Sequence, residues 1–260
     1  MSNHKIKFIY QVSSLRFFVI ISVVTAFIFN FLDILIFQIT KSFHGIFFTF
    51  FGKIIDPLSD VLDPFNIIIV CSLVIFFNLN VKYLLQNKIK LKLLQEKTGL
   101  EYAKIIDTFD FYLLVCKHWI WSLAVAGILC NIIKYIFGVA RPKYFFFEGF
   151  ERVDFFNALH KANSFPSGHT QAAFTLAVLL IIYVNKYYWI IFTIAALMGI
   201  SRIFMSMHFP SDILFGAYLG SLVPILLYKL HYEIKMDKYK GDKMVSFGKF
   251  VKLTYWRIFI

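Results

Sequence analysis

Long apolar runs separated by short polar stretches set the pattern of this chain. Six such runs can be drawn, at about 17–40, 65–85, 112–137, 167–185, 188–207 and 211–230. Each holds roughly the 20 residues that a helix rising 1.5 Å per residue needs to cross about 30 Å of hydrocarbon. The pattern therefore predicts an all-α polytopic membrane protein with six transmembrane helices, read as a single domain over residues 1–260. The first run is too long for a signal-peptide core and lacks a small-residue cleavage pattern, so it is expected to stay as an anchor. Two polar segments fall outside the spans. Residues 86–107 (QNKIKLKLLQEKTGLEYAKIID) read as a surface helix, and 231–260 as a basic tail with an amphipathic end. Segment 46–55 (IFFTFFGKII) reads as a helix lying in the headgroup region.

Composition narrows the class. Hydrophobic residues make up 59% of the 260 positions and charged ones only 16%, against roughly 45–50% and about 25% in soluble domains. Intrinsic disorder, a secreted disulfide scaffold and an ordinary cytosolic enzyme are excluded. The net charge of +12 comes from 22 lysines and only 5 arginines, mostly in stretches flanking the apolar runs. That distribution suits anionic lipid headgroups and not nucleic acid. Placing both termini inside puts eighteen basic residues on the inner segments and eight on the outer ones, the bias expected of a cytoplasmic tail at 231–260. Trp119, Trp121 and Trp189 then fall near the inner boundary. Cys71, Cys116 and Cys130 lie within apolar runs without paired spacing and read as buried free thiols.

Three polar islands interrupt the apolar background, and on this topology all three end on the outer face. Lys134 and Arg141 stand seven residues apart, on one side of the third span if the helix persists, with Pro142 placing the guanidinium at a helix end. Pro166-Ser167-Gly168-His169 opens the fourth span. Ser167 is a candidate N-cap, and the free N–H groups of that first turn form an anion site that glycine lets a ligand approach. Ser201-Arg202 closes the fifth span, and His208 and Asp212 bracket Pro210 before the sixth. An aspartate that accepts from one imidazole nitrogen fixes the tautomer and frees the other nitrogen to attack. The planar fork of arginine suits bidentate phosphate contact, which lysine cannot match.

Together, Lys-x6-Arg-Pro, Pro-Ser-Gly-His and Ser-Arg-x5-His-x3-Asp resemble the three-part signature of the type 2 phosphatidic acid phosphatase family. The resemblance implies a helical core like that of the vanadium haloperoxidases and these phosphatases. It implies that His208 is the nucleophile that becomes phosphohistidine, with Asp212 orienting it. It implies that His169 protonates the leaving oxygen and then activates water. Lys134, Arg141, Arg202, Ser167 and the Gly168 N–H would hold the phosphoryl oxygens. Phosphoryl transfer is mostly positioning plus charge stabilisation, and three cations suit a phosphate dianion.

The resulting expectation is an integral-membrane lipid phosphatase of the bacterial inner membrane. It would act on a phosphomonoester or terminal pyrophosphate on the extracytoplasmic face, with the lipid bilayer and its lipid phosphates as partners. No carboxylate cluster suggests a metal site, so neither metal nor cofactor is expected. Lipid A phosphate, undecaprenyl pyrophosphate, phosphatidylglycerol phosphate and phosphatidate remain open as substrates, with a lean toward a cell-envelope lipid. The alternative is a catalytically silent lipid-phosphate binding or transport protein. A vanadate-using haloperoxidase fits the signature but not the composition. Outside the motifs, Asp33, with Asn30 nearby, is an intramembrane acid for which helix packing is the favoured role. Lys117 and His118 read as snorkelling side chains. The loop 143–165, with Tyr144, Phe145, Phe146, Phe147, Phe150, Phe155 and Phe156, reads as a lid or as an interfacial anchor.

Overall fold

The computed structural model describes residues 10–43, 45–79, 81, 86–184, 187–239 and 246–259. The turn expected at Asn185-Lys186, and the lysines Lys5, Lys7, Lys82, Lys240 and Lys243 of the inner segments, lie outside these. Among the described residues the fold is all-α, with one isolated antiparallel bridge between Val139 and Val153. Four helical runs are long and apolar enough to cross a membrane: α1 (Leu15–Ser42), α2 (Ile46–Asn78), α4 (Tyr102–Phe137) and α8 (Pro210–Asp237). Two shorter apolar helices, α6 (Gly168–Val184) and α7 (Tyr188–Phe204), have 17 residues each. Together these six overlap the six expected spans. Three further helices are α3 (Lys88–Thr98), α5 (Pro142–Glu148) and α9 (Phe247–Phe259).

Helix boundaries follow local chemistry. Asn87 caps α3 by accepting from the N–H groups of Ile89 and Lys90 at 3.0 and 3.3 Å. Gly99 ends it at φ +68°, donating to the Gln95 carbonyl at 2.7 Å. The run α2 pauses at Leu62 and Asp63 and restarts at Pro64, with Asp63 accepting from the Phe65 N–H at 2.8 Å. The expected interfacial segment 46–55 is the opening part of this run. It contains a π turn, Phe51–Ile55, directly before Asp56. A second π turn, Ile28–Leu32, precedes Asp33 in α1.

The chain divides into two compact units. One comprises residues 67–121 and 227–260. Its core is built from Leu94, Leu100, Ile105, Phe109, Phe250 and Leu253, so the amphipathic end of the basic tail forms α9 and buries one face. His118 does not snorkel: it is fully buried, with its ring 4.5 Å from that of Tyr232, whereas Lys117 is exposed.

The other unit, residues 1–66 and 122–226, carries all three polar islands. Helix α6 is its most buried element, because small residues let α7 and α8 approach closely. A Cβ on Gly216 would lie 2.7 Å from the Ser167 carbonyl oxygen, and one on Gly220 would run into the Gln171 carbonyl. Thr175 Oγ1 also donates to the Gly220 carbonyl at 3.0 Å. Gly220→Ala is therefore expected to cost about 3 kcal/mol by overpacking and to lower the melting temperature in detergent by roughly 10 °C. Gly127→Ala, with open space at its Cβ, serves as the control that should melt like the parent.

Candidate active site

The Lys134 side chain is buried, and its ammonium donates to the Asn163 carbonyl at 2.8 Å. The expectation that one helix presents both Lys134 and Arg141 is corrected. Helix α4 stops at Phe137, and Gly138 turns the chain at φ +53°. A side chain there would collide with the Asp154 carbonyl. The chain then pairs with residues 152–154, the Ala140 N–H reaching the Arg152 carbonyl at 3.1 Å and the Asp154 N–H reaching the Gly138 carbonyl at 3.0 Å. Arg141 is extended (φ −69°, ψ 148°), as a residue before proline prefers, and its N–H donates to the Lys161 carbonyl at 3.0 Å. An extended arm therefore brings the guanidinium back to the field of Lys134. Among the described residues Arg141 Nε is buried with no hydrogen-bond partner, and Nη1 meets the Met207 sulfur at 3.9 Å.

Ser167 precedes α6, and its Oγ accepts from the Thr170 N–H at 3.4 Å and from the Thr170 hydroxyl at 2.9 Å. Its own N–H donates to the Asp212 carbonyl at 3.0 Å, which joins the second island to the third. Gly168 lies beside the Lys134 side chain, its Cβ position 3.9 Å from Lys134 Cε. His169 is half-buried, within the fields of Arg202 and Asp56.

Helix α7 ends just after Arg202, whose carbonyl accepts the N–H groups of both Met207 and His208 at 3.0 and 3.2 Å. The Arg202 guanidinium is buried and pairs with Asp56, leaving Nε without a partner. Pro210 starts α8. As a result His208 lies before the helix, and its i,i+4 spacing to Asp212 does not become a helical contact. The expected hydrogen bond between them is absent: Asp212 Oδ2 lies 3.6 Å from Nδ1. That oxygen instead reaches back to the Phe209 N–H at 2.7 Å, as the acid of a capping box does, and accepts from the Ser164 hydroxyl at 2.5 Å. His208 Nδ1 sits 2.9 Å from the Ser164 carbonyl. A carbonyl only accepts, so Nδ1 carries the proton and Nε2 keeps its lone pair. Ser164 thus orients the imidazole, and Asp212 acts through Ser164.

Burial, followed by the positive charges of Lys134, Arg141 and Arg202 and the neighbouring His169, pushes the His208 pKa well below its ordinary 6.5. The ring is neutral at neutral pH, as a nucleophile must be. Below about pH 6.5 the unfolded chain takes up a proton that the folded protein refuses, so folding stability declines as pH falls. Thermal melts in detergent between pH 7 and 5 should show a loss of up to about 1.4 kcal/mol per pH unit from this group. The His208→Gln protein should show a flatter profile.

Four contributors lay outside the motifs. Ser164 acts partly through its backbone carbonyl, which no side-chain pattern reveals. Asp56 and Arg152 hold charged partners from distant segments. Asp33, expected to serve packing, is fully buried and accepts from the Ser211 N–H at 2.8 Å, from the Ser211 hydroxyl at 2.6 Å and from Arg152. The scarcity of arginine was the available signal: three of the five sit in this one network. The aromatic loop divides in two. Phe146 stacks on Phe37 at 4.9 Å and Phe145 packs near Phe209, while Phe147, Phe155 and Phe156 remain exposed.

Known proteins are similar to parts of this chain. A lipid A 1-phosphatase of Porphyromonas gingivalis is 38% identical over 111 residues, which are 41% of this chain and 22% of that protein. A lipid A 1-phosphatase of Rhizobium johnstonii is 29% identical over 161 residues, 61% of this chain and 59% of that protein. The chain thus spans between about a fifth and three fifths of these relatives. The crystal structure of a transmembrane PAP2 type phosphatidylglycerolphosphate phosphatase from Bacillus subtilis aligns over 80% of this chain and 96% of its own, at 22% identity and a TM-score of 0.33. The sequence profile of the PAP2 superfamily matches residues 117–236, a stretch that includes every motif position from Lys134 to Asp212. Over residues 117–236, just under half of its length, the chain is therefore similar to the PAP2 superfamily.

Proposed function

We propose that this integral membrane protein is a lipid phosphatase that works through a phosphohistidine on His208. The observation that carries this reading is a neutral imidazole with Nδ1 anchored at 2.9 Å and Nε2 free, set among Lys134, Arg141 and Arg202. Two buried guanidinium Nε–H groups there have no acceptor among the described residues, and a phosphate dianion supplies the missing oxygens. Nε2 attacks phosphorus, the bond to the lipid oxygen breaks, and His169 gives that oxygen a proton. Water, deprotonated by His169, then attacks the phosphohistidine and restores His208. Positioning and fixed charge carry both steps, so the reaction needs no metal.

The substrate class is a phosphomonoester or terminal pyrophosphate of a membrane lipid. The lipid A 1-phosphatases among the relatives favour a lipid A phosphate. The lysine and arginine bias supports a site on the extracytoplasmic face with both termini inside.

The test is phosphate release from a side-by-side panel of lipid A, undecaprenyl pyrophosphate, phosphatidylglycerol phosphate and phosphatidate in detergent with EDTA. Release from at least one member, lost in His208→Ala and His169→Ala proteins that still fold, is the expected result. Binding of these lipids without release would instead make the protein a carrier. Activity that EDTA abolishes and zinc or magnesium restores would overturn the metal-free mechanism.

A further inference from the structure

We infer that Asp33, in the first membrane helix and outside the matched stretch 117–236, is a positioning residue for the nucleophile, acting through Ser211 and Arg152. This rests on the phosphohistidine reading above. Three donors converge on the Asp33 carboxylate: the Ser211 N–H at 2.8 Å, the Ser211 hydroxyl at 2.6 Å and the Arg152 guanidinium. Ser211 stands between Pro210 and Asp212, so Asp33 clamps the start of α8 from outside that helix. Asp212 fixes the same turn from within it, through the Phe209 N–H.

Arg152 makes the clamp more than a cap. Its guanidinium carbon lies 3.5 Å from the centroid of the Phe209 ring, and Phe209 directly follows His208. Its main-chain carbonyl accepts from the Ala140 N–H at 3.1 Å, next to Arg141. One residue therefore grips the nucleophile's turn with its side chain and the phosphate-binding arm with its backbone. Asp33 holds that side chain in place. The separation and angle between His208 Nε2 and a phosphate held by Arg141 are set by this grip, and in-line attack is sensitive to displacements of about 1 Å. Neither Asp33 nor Arg152 touches the reacting atoms in this scheme.

The experiment compares Asp33→Asn, which keeps an acceptor and removes the charge, with the parent in detergent. Turnover, inhibition by inorganic phosphate and inhibition by vanadate are read on each. Vanadate takes up the five-coordinate geometry of the transferring phosphoryl group, so it reports alignment, whereas phosphate reports only the charge cradle. The expected result is a fall in kcat of about ten- to a hundredfold with KM within about threefold. Vanadate inhibition should weaken by a similar factor while phosphate inhibition holds. Asp33→Asn combined with Arg152→Gln should be no worse than the poorer single variant, because both remove one unit.

Turnover and vanadate inhibition within twofold of the parent, in protein that melts normally, would overturn the inference. So would equal weakening of phosphate and vanadate. If Asp33→Asn does not fold, Ser211→Ala deletes one of the three donors, leaves the ion pair, and is judged by the same split between vanadate and phosphate. A parent that releases no phosphate would defeat the phosphatase reading instead, and the role of Asp33 would then be decided by binding alone: thermal stabilisation by vanadate should be lost in Asp33→Asn while that by phosphate holds, and equal stabilisation of parent and variant by vanadate would overturn the inference.

Discussion

His208→Gln should release lipid phosphate on the order of 10⁴-fold or more slowly than the parent while folding normally. The glutamine amide can donate to the Ser164 carbonyl in place of Nδ1–H, so the buried acceptor keeps a partner and the loss reports chemistry. The other nitrogen groups around this cradle have other tasks: Lys134 donates to the Asn163 carbonyl, the guanidinium groups cannot attack, and His169 is the acid and base of the proposed scheme. His169→Ala should separate the two steps. With p-nitrophenyl phosphate the leaving group needs no acid, so a burst of nitrophenol followed by slow turnover is expected, because the phosphohistidine then lacks a base for water. Steady, undiminished turnover of both aryl and lipid substrates in this variant would remove His169 from the mechanism.

The second large effect is expected at Arg141. Arg141→Ala should lower kcat/KM by about 10²–10³-fold, the range seen when one donor to developing phosphoryl charge is removed from a water-excluded site. Arg141→Lys should recover little of it, since a single ammonium cannot make two parallel contacts to phosphate oxygens. The reason for singling out Arg141 is its lack of a carboxylate partner. Arg202 spends one amino group on Asp56, whereas Arg141 meets only a thioether. Steady-state kinetics on a soluble short-chain lipid phosphate, with melting curves as the folding control, check both variants.

The spans were legible because hydrophobic runs of membrane length leave few other fates for a chain. The candidate site positions were legible because charged and imidazole groups stand out in apolar surroundings. What escaped was the connection between them. The seven-residue spacing of Lys134 and Arg141 suggested one helix face, but Gly138 turns the backbone into a short pairing with residues 152–154, a long-range event with no local signature. The i,i+4 spacing of His208 and Asp212 suggested direct contact, but Pro210 starts the helix between them. The Asp212 carboxylate then satisfies the Phe209 N–H and the Ser164 hydroxyl instead. Asp33 was visible as an anomaly, an acid in a membrane span, yet its partners come from positions 119 and 178 residues away. Separations of that kind are fixed by tertiary packing and cannot be read from periodicity.

The π turns of α1 and α2 lend this architecture a particular fragility. Each holds one residue more than a regular helix would over the same rise, and each ends where an acid reaches an arginine: Asp33 after Ile28–Leu32, Asp56 after Phe51–Ile55. The surplus residue keeps the winding on either side in phase, so a stretch that tightened to ordinary helix while keeping all its residues would swing everything beyond it around the axis by about 100°. The carboxylate would then face a different neighbour. A substitution that tightened the turn there could keep the membrane anchor and every signature motif, and still lose the alignment proposed for turnover.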